Sequence, residues 1–118
     1  MRVKTASGLE YEDIKKGDGP IPKQGQLVSV HYEVALTIED LDKGKTIDSS
    51  NARNSPIEFK IGGGEALRGV DEGVRTMQVG DLRRLTIPSH LAFGERGIPG
   101  LVPPNSTLYV DIKLRYVE

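Results

Sequence analysis

Tyr32, Asp48 and Arg53 are the residues whose types and spacing most suggest chemistry in this chain. Tyr32 alternates with Val28, Val30 and Val34, which predicts a phenol on the apolar face of a strand. A buried phenol needs a hydrogen-bond partner. Asp48 in the next extended segment can accept that bond, with Arg53 nearby to hold the carboxylate. Read from these residues alone, the set is first a satisfied structural network; it becomes a candidate site only if a pocket lies beside it. The stretch Leu91 to Leu108 points to such a pocket. It is rich in Gly and Pro yet carries Phe93, Ile98, Leu101 and Val102. A long turn with apolar side chains folds over something apolar, either the core or a ligand pocket.

Most other chemistry is excluded. There is no cysteine, so disulfides, thiolate catalysis and cysteine-based zinc sites are ruled out. His31 falls on the outward face of its strand, with no acid or nucleophile at a telling spacing, and reads as a surface residue. Two histidines without cysteine make a protein metal site improbable, so no metal and no cofactor is expected. Asp40-Leu41-Asp42-Lys43-Gly44 resembles a calcium loop, but Asn51 stands where the bidentate glutamate is needed. Gly62-Gly63-Gly64 invites a phosphate-loop reading, yet Leu67 occupies the third fingerprint position and no Gly-Lys-Ser/Thr follows. It reads instead as a tight turn into a helix, whose free N–H groups can donate to a carbonyl.

The elements that must position these residues belong to one domain of 118 residues, 36% hydrophobic and 28% charged. The net charge of −1 favours no polyanion, and the pairs Lys15-Lys16 and Arg83-Arg84 read as solvated faces, so no nucleic-acid partner is expected. No window has the apolar length of a membrane span, and Met1 to Gly8 lacks the apolar run of a secretory signal. The default expectation is a cytoplasmic protein with no membrane partner, in which the sequon Asn105-Ser106-Thr107 has no meaning.

Period-two alternation predicts strands at Leu9 to Lys15, Leu27 to Leu36, Ile57 to Ile61, around Leu85 and Ile87, and at Leu108 to Leu114, with an edge strand at Thr46 to Ser50. Glu39 to Lys45 is charged and predicts a solvated hairpin or bulge. After the glycines the spacing turns helical, with Leu67, Val70, Val74 and Met77 on one stripe. Gly69 and Gly73 each weaken that helix by about 1 kcal/mol relative to Ala, so it needs tertiary packing. Many antiparallel strands and one short amphipathic helix predict an α+β fold, with the helix across the apolar face of the sheet.

Several motifs agree in order and spacing with one family: Val30-His31-Tyr32; Asp48-Ser49-Ser50 followed by Arg53-Asn54 and Pro56; Leu67-Arg68-Gly69 with Glu72-Gly73-Val74; and Ala92-Phe93-Gly94 through Gly97-Ile98-Pro99-Gly100 to Pro103-Pro104 and Thr107-Leu108. From about Leu9 to Val117 the chain resembles the FKBP-type peptidyl-prolyl cis–trans isomerases. The resemblance implies a twisted antiparallel β-sheet wrapped around one short α-helix, with an apolar prolyl pocket between them. It implies catalytic roles for Tyr32, Asp48, Leu67, Val70 and Phe93, and substrate contacts from Ile47, Ile57, Ala66, Ile98, Leu101, Val102 and Val110. Proline-containing polypeptides are the implied partners, macrolides can occupy the family pocket, and a monomeric folding assistant is the implied form.

The chain departs from the family pattern at the pocket. Val70 stands where the family carries a Trp, while Ile47, Ile57 and Val110 stand where Phe is usual. Phe93 replaces a Tyr whose hydroxyl typically bonds the ligand, and Glu33-Val34 replaces Thr-Gly. The segment between Tyr32 and Asp48 is a few residues longer than in short members. The expectation is weaker binding of a prolyl ring and a larger loss of macrolide affinity. Two alternatives therefore stand beside the enzyme: a non-catalytic peptide-binding module on the same scaffold, and a structural domain whose pocket is closed and filled.

Overall fold

Alternation becomes seven strands in the computed structural model, which describes residues 2–118. In chain order they are β1 (Arg2–Lys4), β2 (Glu10–Lys15), β3 (Leu27–Ala35), β4 (Asp48–Ser49), β5 (Ile57–Lys60), β6 (Leu82–Ile87) and β7 (Leu108–Val117). Two α-helices accompany them, α1 (Ile38–Asp42) and α2 (Arg68–Val74), and Ser89–Leu91 makes a single 3-10 turn. All pairings are antiparallel, in the order β1-β2-β6-β7-β3-β4, and β5 adds to β3 beside β4. The longest pairing joins β3 to β7, from Val28 opposite Val117 to Ala35 opposite Tyr109, with an irregularity between Ser29 and Val30. The expected α+β sheet with one main helix is the observed architecture.

One face of the sheet builds the core from Val28, Val30, Phe59, Leu85, Ile87, Leu108, Val110, Ile112 and Leu114, and α2 covers it with Val74. The helix is shorter than its apolar stripe predicts. After Val74 the turn tightens, the Met77 N–H donating to the Val74 carbonyl at 3.0 Å, so Met77 is buried beyond the helix rather than on it. The two helix glycines let α2 lie close to β6. A Cβ on Gly69 would stand 2.4 Å from Ile87 Cγ2, and one on Gly73 would stand 2.8 Å from Leu85 Cδ2. We expect Gly69→Ala to lower stability by up to about 2 kcal/mol, because overpacking of about 1–3 kcal/mol opposes the helix-propensity gain of about 1 kcal/mol. Urea unfolding reads this directly, and a midpoint that rose would show that helix and sheet separate freely.

Two local readings are corrected, and one strand is added to those read from the sequence. The segment Glu39 to Lys45 is not a solvated hairpin; its first half belongs to α1. Thr37 caps that turn by accepting the Asp40 N–H at 3.0 Å, and Leu41 is buried under it. One turn is too short to display helical periodicity. Strand β1 was not legible either: it is short, polar and exposed, and it follows from pairing that sets Arg2 opposite Glu12 and Lys4 opposite Glu10.

The pair Arg83-Arg84 is not a solvated face. Arg83 lies on the core side of β6 and is only 2% exposed. Its guanidinium donates to Asp13 at 2.7 Å, to the Gly73 carbonyl at 2.9 Å and to Thr76 at 2.6 Å, and it stacks over the Tyr11 ring at 3.9 Å. Arg84 faces the other way and bridges Asp111 to Asp42 of α1, each at 2.8 Å.

Candidate functional site

Alternation along β3 sets Tyr32 and Val34 on the face that α2 covers, and β7 brings Leu108 and Val110 beside them. Between these strands and the start of α2 lies a cavity of about 230 Å³. Ala66, Leu67 and Val70 form its helix side, and Ile47, Asp48 and Ile57 come from the segments paired on β3. The loop after the 3-10 turn supplies Phe93, Ile98 and Leu101. Thus every residue assigned to the site from the sequence borders one cavity, except Val102. That side chain is packed into the core at 3% exposure, while its backbone pairs with Ile98. Sequence reasoning had no strand period inside the loop from which to tell its inward residues from its core residues. Val34 and Leu108 line the cavity and were not among the assigned residues. The signal for both was present, since Val34 alternates with Tyr32 and Leu108 with Val110.

The loop from Phe93 to Leu108 is long but internally bonded. Ile98 and Val102 exchange both backbone hydrogen bonds at 2.8 Å, the Gly97 N–H donates to the Phe93 carbonyl at 3.1 Å, and the Asn105 N–H donates to the Gly94 carbonyl at 2.9 Å. Its apolar side chains are therefore held over the cavity by a folded backbone.

The polar wall is the triad read from the sequence. Tyr32 Oη donates to Asp48 Oδ2 at 2.6 Å, Arg53 Nη2 donates to Tyr32 Oη at 2.9 Å, and Arg53 Nη1 donates to Asp48 Oδ1. Ser50 fixes the strand beneath it: its Oγ accepts the Tyr32 N–H at 2.7 Å and lies 2.9 Å from His31 Nδ1. Burial, followed by the Asp48 carboxylate, pushes the Tyr32 phenol above its ordinary value. Burial also works to raise Asp48, but the hydrogen bonds from Tyr32 and Arg53 outweigh it and hold the carboxyl below its usual value. At neutral pH Tyr32 is thus a neutral hydroxyl and Asp48 an anion, and neither is poised to shuttle protons.

One further donor borders the cavity. The Leu67 N–H, just ahead of α2, has no hydrogen-bond partner among the described residues. An apolar chamber with a free backbone donor at one side suits a flat, weakly polar group that carries a carbonyl. Tyr32 and Phe93 supply its aromatic rings; Val34, Ile47, Ile57, Val70, Ile98, Leu101, Leu108 and Val110 are branched aliphatics.

A family model described as FKBP-type peptidyl-prolyl cis-trans isomerase matches residues 19–115. The chain is 46% identical over 112 residues to "Peptidyl-prolyl cis-trans isomerase FKBP1A" of Xenopus laevis, covering 94% of this chain and 99% of that protein. It is 49% identical over 112 residues to "FK506-binding protein 4" of Dictyostelium discoideum, covering 95% of this chain but 29% of that protein. A namesake in Neurospora crassa is likewise spanned over only 23% of its length. Among solved structures, AtFKBP13 superposes with a TM-score of 0.86 at 36% identity, covering 100% of this chain and 99% of that one.

Proposed function

The chain belongs to the FKBP-type peptidyl-prolyl cis–trans isomerase family, and from that membership we propose that its cavity accelerates rotation about X–Pro bonds. The observation that carries the reading is the apolar cavity with the unpartnered Leu67 N–H at its side. Rotation about an X–Pro bond is slow, because twisting breaks amide resonance at a barrier of about 18–20 kcal/mol. In the twisted state the carbonyl and nitrogen no longer share charge. Apolar walls favour that less polar arrangement over the planar one, while the Leu67 N–H holds a substrate carbonyl in place. Tyr32, fixed by Asp48 and Arg53, presents a hydroxyl oxygen at the rim instead of a titrating acid or base. Each 1.36 kcal/mol of selective stabilisation is worth about tenfold in rate.

The substrates in this reading are proline-containing polypeptides, and the role is to speed a slow proline step in folding. The monomeric form that the family resemblance implies belongs to the same reading. With Val70, Ile47, Ile57 and Val110 in place of flat rings, macrolide affinity is reduced more than turnover, since a large ligand loses more contact area.

A cis–trans assay on prolyl tetrapeptides tests the proposal. The expected result is interconversion faster than that of the peptide alone and independent of pH between about 6 and 8. The flat profile follows from the two shifts: Asp48 stays ionised above its lowered pKa, and Tyr32 stays protonated below its raised one. Neither histidine lines the cavity. A rate equal to that of free peptide would overturn the reading. The aliphatic wall favours one alternative, a binding module, in which prolyl peptides shift the Ala66 and Leu67 amide signals without speeding interconversion.

A further inference from the structure

Asp71 is absent from the cavity lining, yet its carboxylate is among the most securely held polar groups in the fold. Its side chain is 8% exposed. The Gly62 N–H donates to Oδ2 at 2.9 Å and to Oδ1 at 3.2 Å, and Arg75 Nε donates to Oδ1 at 2.9 Å. At the same time the Asp71 N–H donates to the Leu67 carbonyl at 2.9 Å. One residue therefore ties down both ends of the segment Gly62 to Leu67, the first through its side chain and the second through its backbone.

That segment needs such a tie. Gly62, Gly63, Gly64 and Glu65 are exposed, and Gly62 and Gly64 adopt positive φ, at 77° and 73°. Ala66 borders both the prolyl cavity and a second hollow of about 300 Å³, so the segment forms a partition between the two. Its remaining restraints are the Gly63 N–H to Lys60 carbonyl bond at 3.0 Å and a longer bond at 3.3 Å from the Lys60 N–H to the exposed Glu65 carboxylate. The free N–H of Leu67 sits at the end of this partition, immediately before α2.

We propose that Asp71 is a positioning residue, whose carboxylate bonds to Gly62 set the direction in which the Leu67 N–H meets the substrate carbonyl. The inference rests on the isomerase reading above. Small misplacements of a positioned group are costly: an error of about 1 Å costs up to about a hundredfold in rate. Asp71→Asn keeps the size of the side chain but replaces one acceptor oxygen with a donor, so Gly62 and Arg75 compete for a single oxygen.

The test compares Asp71→Asn with Asp81→Asn on the full chain, under conditions where circular dichroism shows both folded. Asp81 is fully buried and accepts the Gly17 N–H at 2.7 Å and the Gln78 N–H at 2.9 Å, far from the partition in the hydrogen-bond network. It thus reports the cost of losing a buried carboxylate as such. In Asp71→Asn, kcat/KM on a prolyl tetrapeptide falls about tenfold, and the Ala66 and Leu67 amide signals broaden or double while those of Leu85 and Ile112 stay sharp. In Asp81→Asn, turnover stays within about twofold of the parent and the two signals are unchanged. Equal losses in both variants, or parental turnover in Asp71→Asn, would overturn the proposal. Should Asp71→Asn not fold, Asp71→Ser withdraws the acceptor from Gly62 without setting an amide donor against it; loss of turnover with the same local broadening supports the assignment, and parental behaviour overturns it. If the parent is itself inactive, the isomerase reading fails separately. Peptide affinity then decides: weakening of about tenfold in Asp71→Asn but not in Asp81→Asn supports the positioning role, and any other pattern overturns it.

Discussion

Replacing Gly97 with alanine is expected to dismantle one wall of the cavity and to lower kcat/KM on prolyl peptides by more than about tenfold, since positioning errors of this size are costly. Gly97 has φ of +57°, and an added Cβ would lie 2.2 Å from the Val102 carbonyl oxygen and 2.8 Å from Pro103 backbone atoms. These neighbours are main chain, so no rotamer change relieves the clash. A left-handed backbone alone costs an alanine about 1–2 kcal/mol. Separation of Ile98 from Val102 breaks both of their hydrogen bonds and moves Ile98 and Leu101 off the cavity. The loop opens at lower cost than the whole fold, so activity falls further than melting temperature. Gly100→Ala provides the comparison. Its φ is +79°, but nothing lies within 4 Å of the added Cβ, so it bears the backbone cost without the clash and keeps its activity. Equal loss of turnover in the two variants would refute this account of Gly97.

The largest effect on stability is expected at Arg83. Arg83→Ala should cost about 3 kcal/mol in urea unfolding, near the lower end for breaking a buried ion pair, because Asp13 is 27% exposed and regains water. The Gly73 carbonyl and Thr76 lose their donor at the C-terminal end of α2, and Tyr11 loses the cation over its ring. Arg84→Ala, one residue along, should cost about 1 kcal/mol or less, because Arg84 and its partners Asp111 and Asp42 are all reached by solvent. Similar midpoints for the two variants would contradict the assignment of opposite faces.

These adjacent arginines show where the sequence was legible and where it was not. Local composition makes them one basic pair, but strand periodicity alone sends them to opposite sides of β6, and the sequence does not reveal that α2 offers Arg83 a carbonyl. The strands themselves were legible because apolar alternation is strong in Val28 to Val34 and Leu108 to Leu114. The triad was legible for the same reason, since alternation placed Tyr32 and the short spacing from Asp48 to Arg53 kept its partners near. Inside the loop no period exists, so Phe93 and Val102 looked alike although one borders the cavity and the other is core. The helix glycines were read only as a local weakness; their close approach to Ile87 and Leu85 depends on partners distant in sequence. Turn α1 and strand β1 are too short to carry a pattern and exist through what they pack or pair against.

The pairing of β3 with β7 sets the order in which the protein can assemble. Val28 meets Val117 and Ala35 meets Tyr109, so the Tyr32 wall finds its partner strand only after nearly the whole intervening chain is available. Contacts this distant must pay loop-closure entropy before they return any stability, which places such topologies among slower folders, at milliseconds to seconds. Of the residues that line the cavity, Leu108 and Val110 are the last in chain order, and until they dock the cavity lacks its β7 wall. Any of the seven X–Pro bonds that starts in the wrong isomer must therefore settle before its own chain's site can help, on the tens-of-seconds scale of spontaneous isomerisation. On the proposed reading, a site that hurries rotation in other chains gives its own chain no help until β7 has docked.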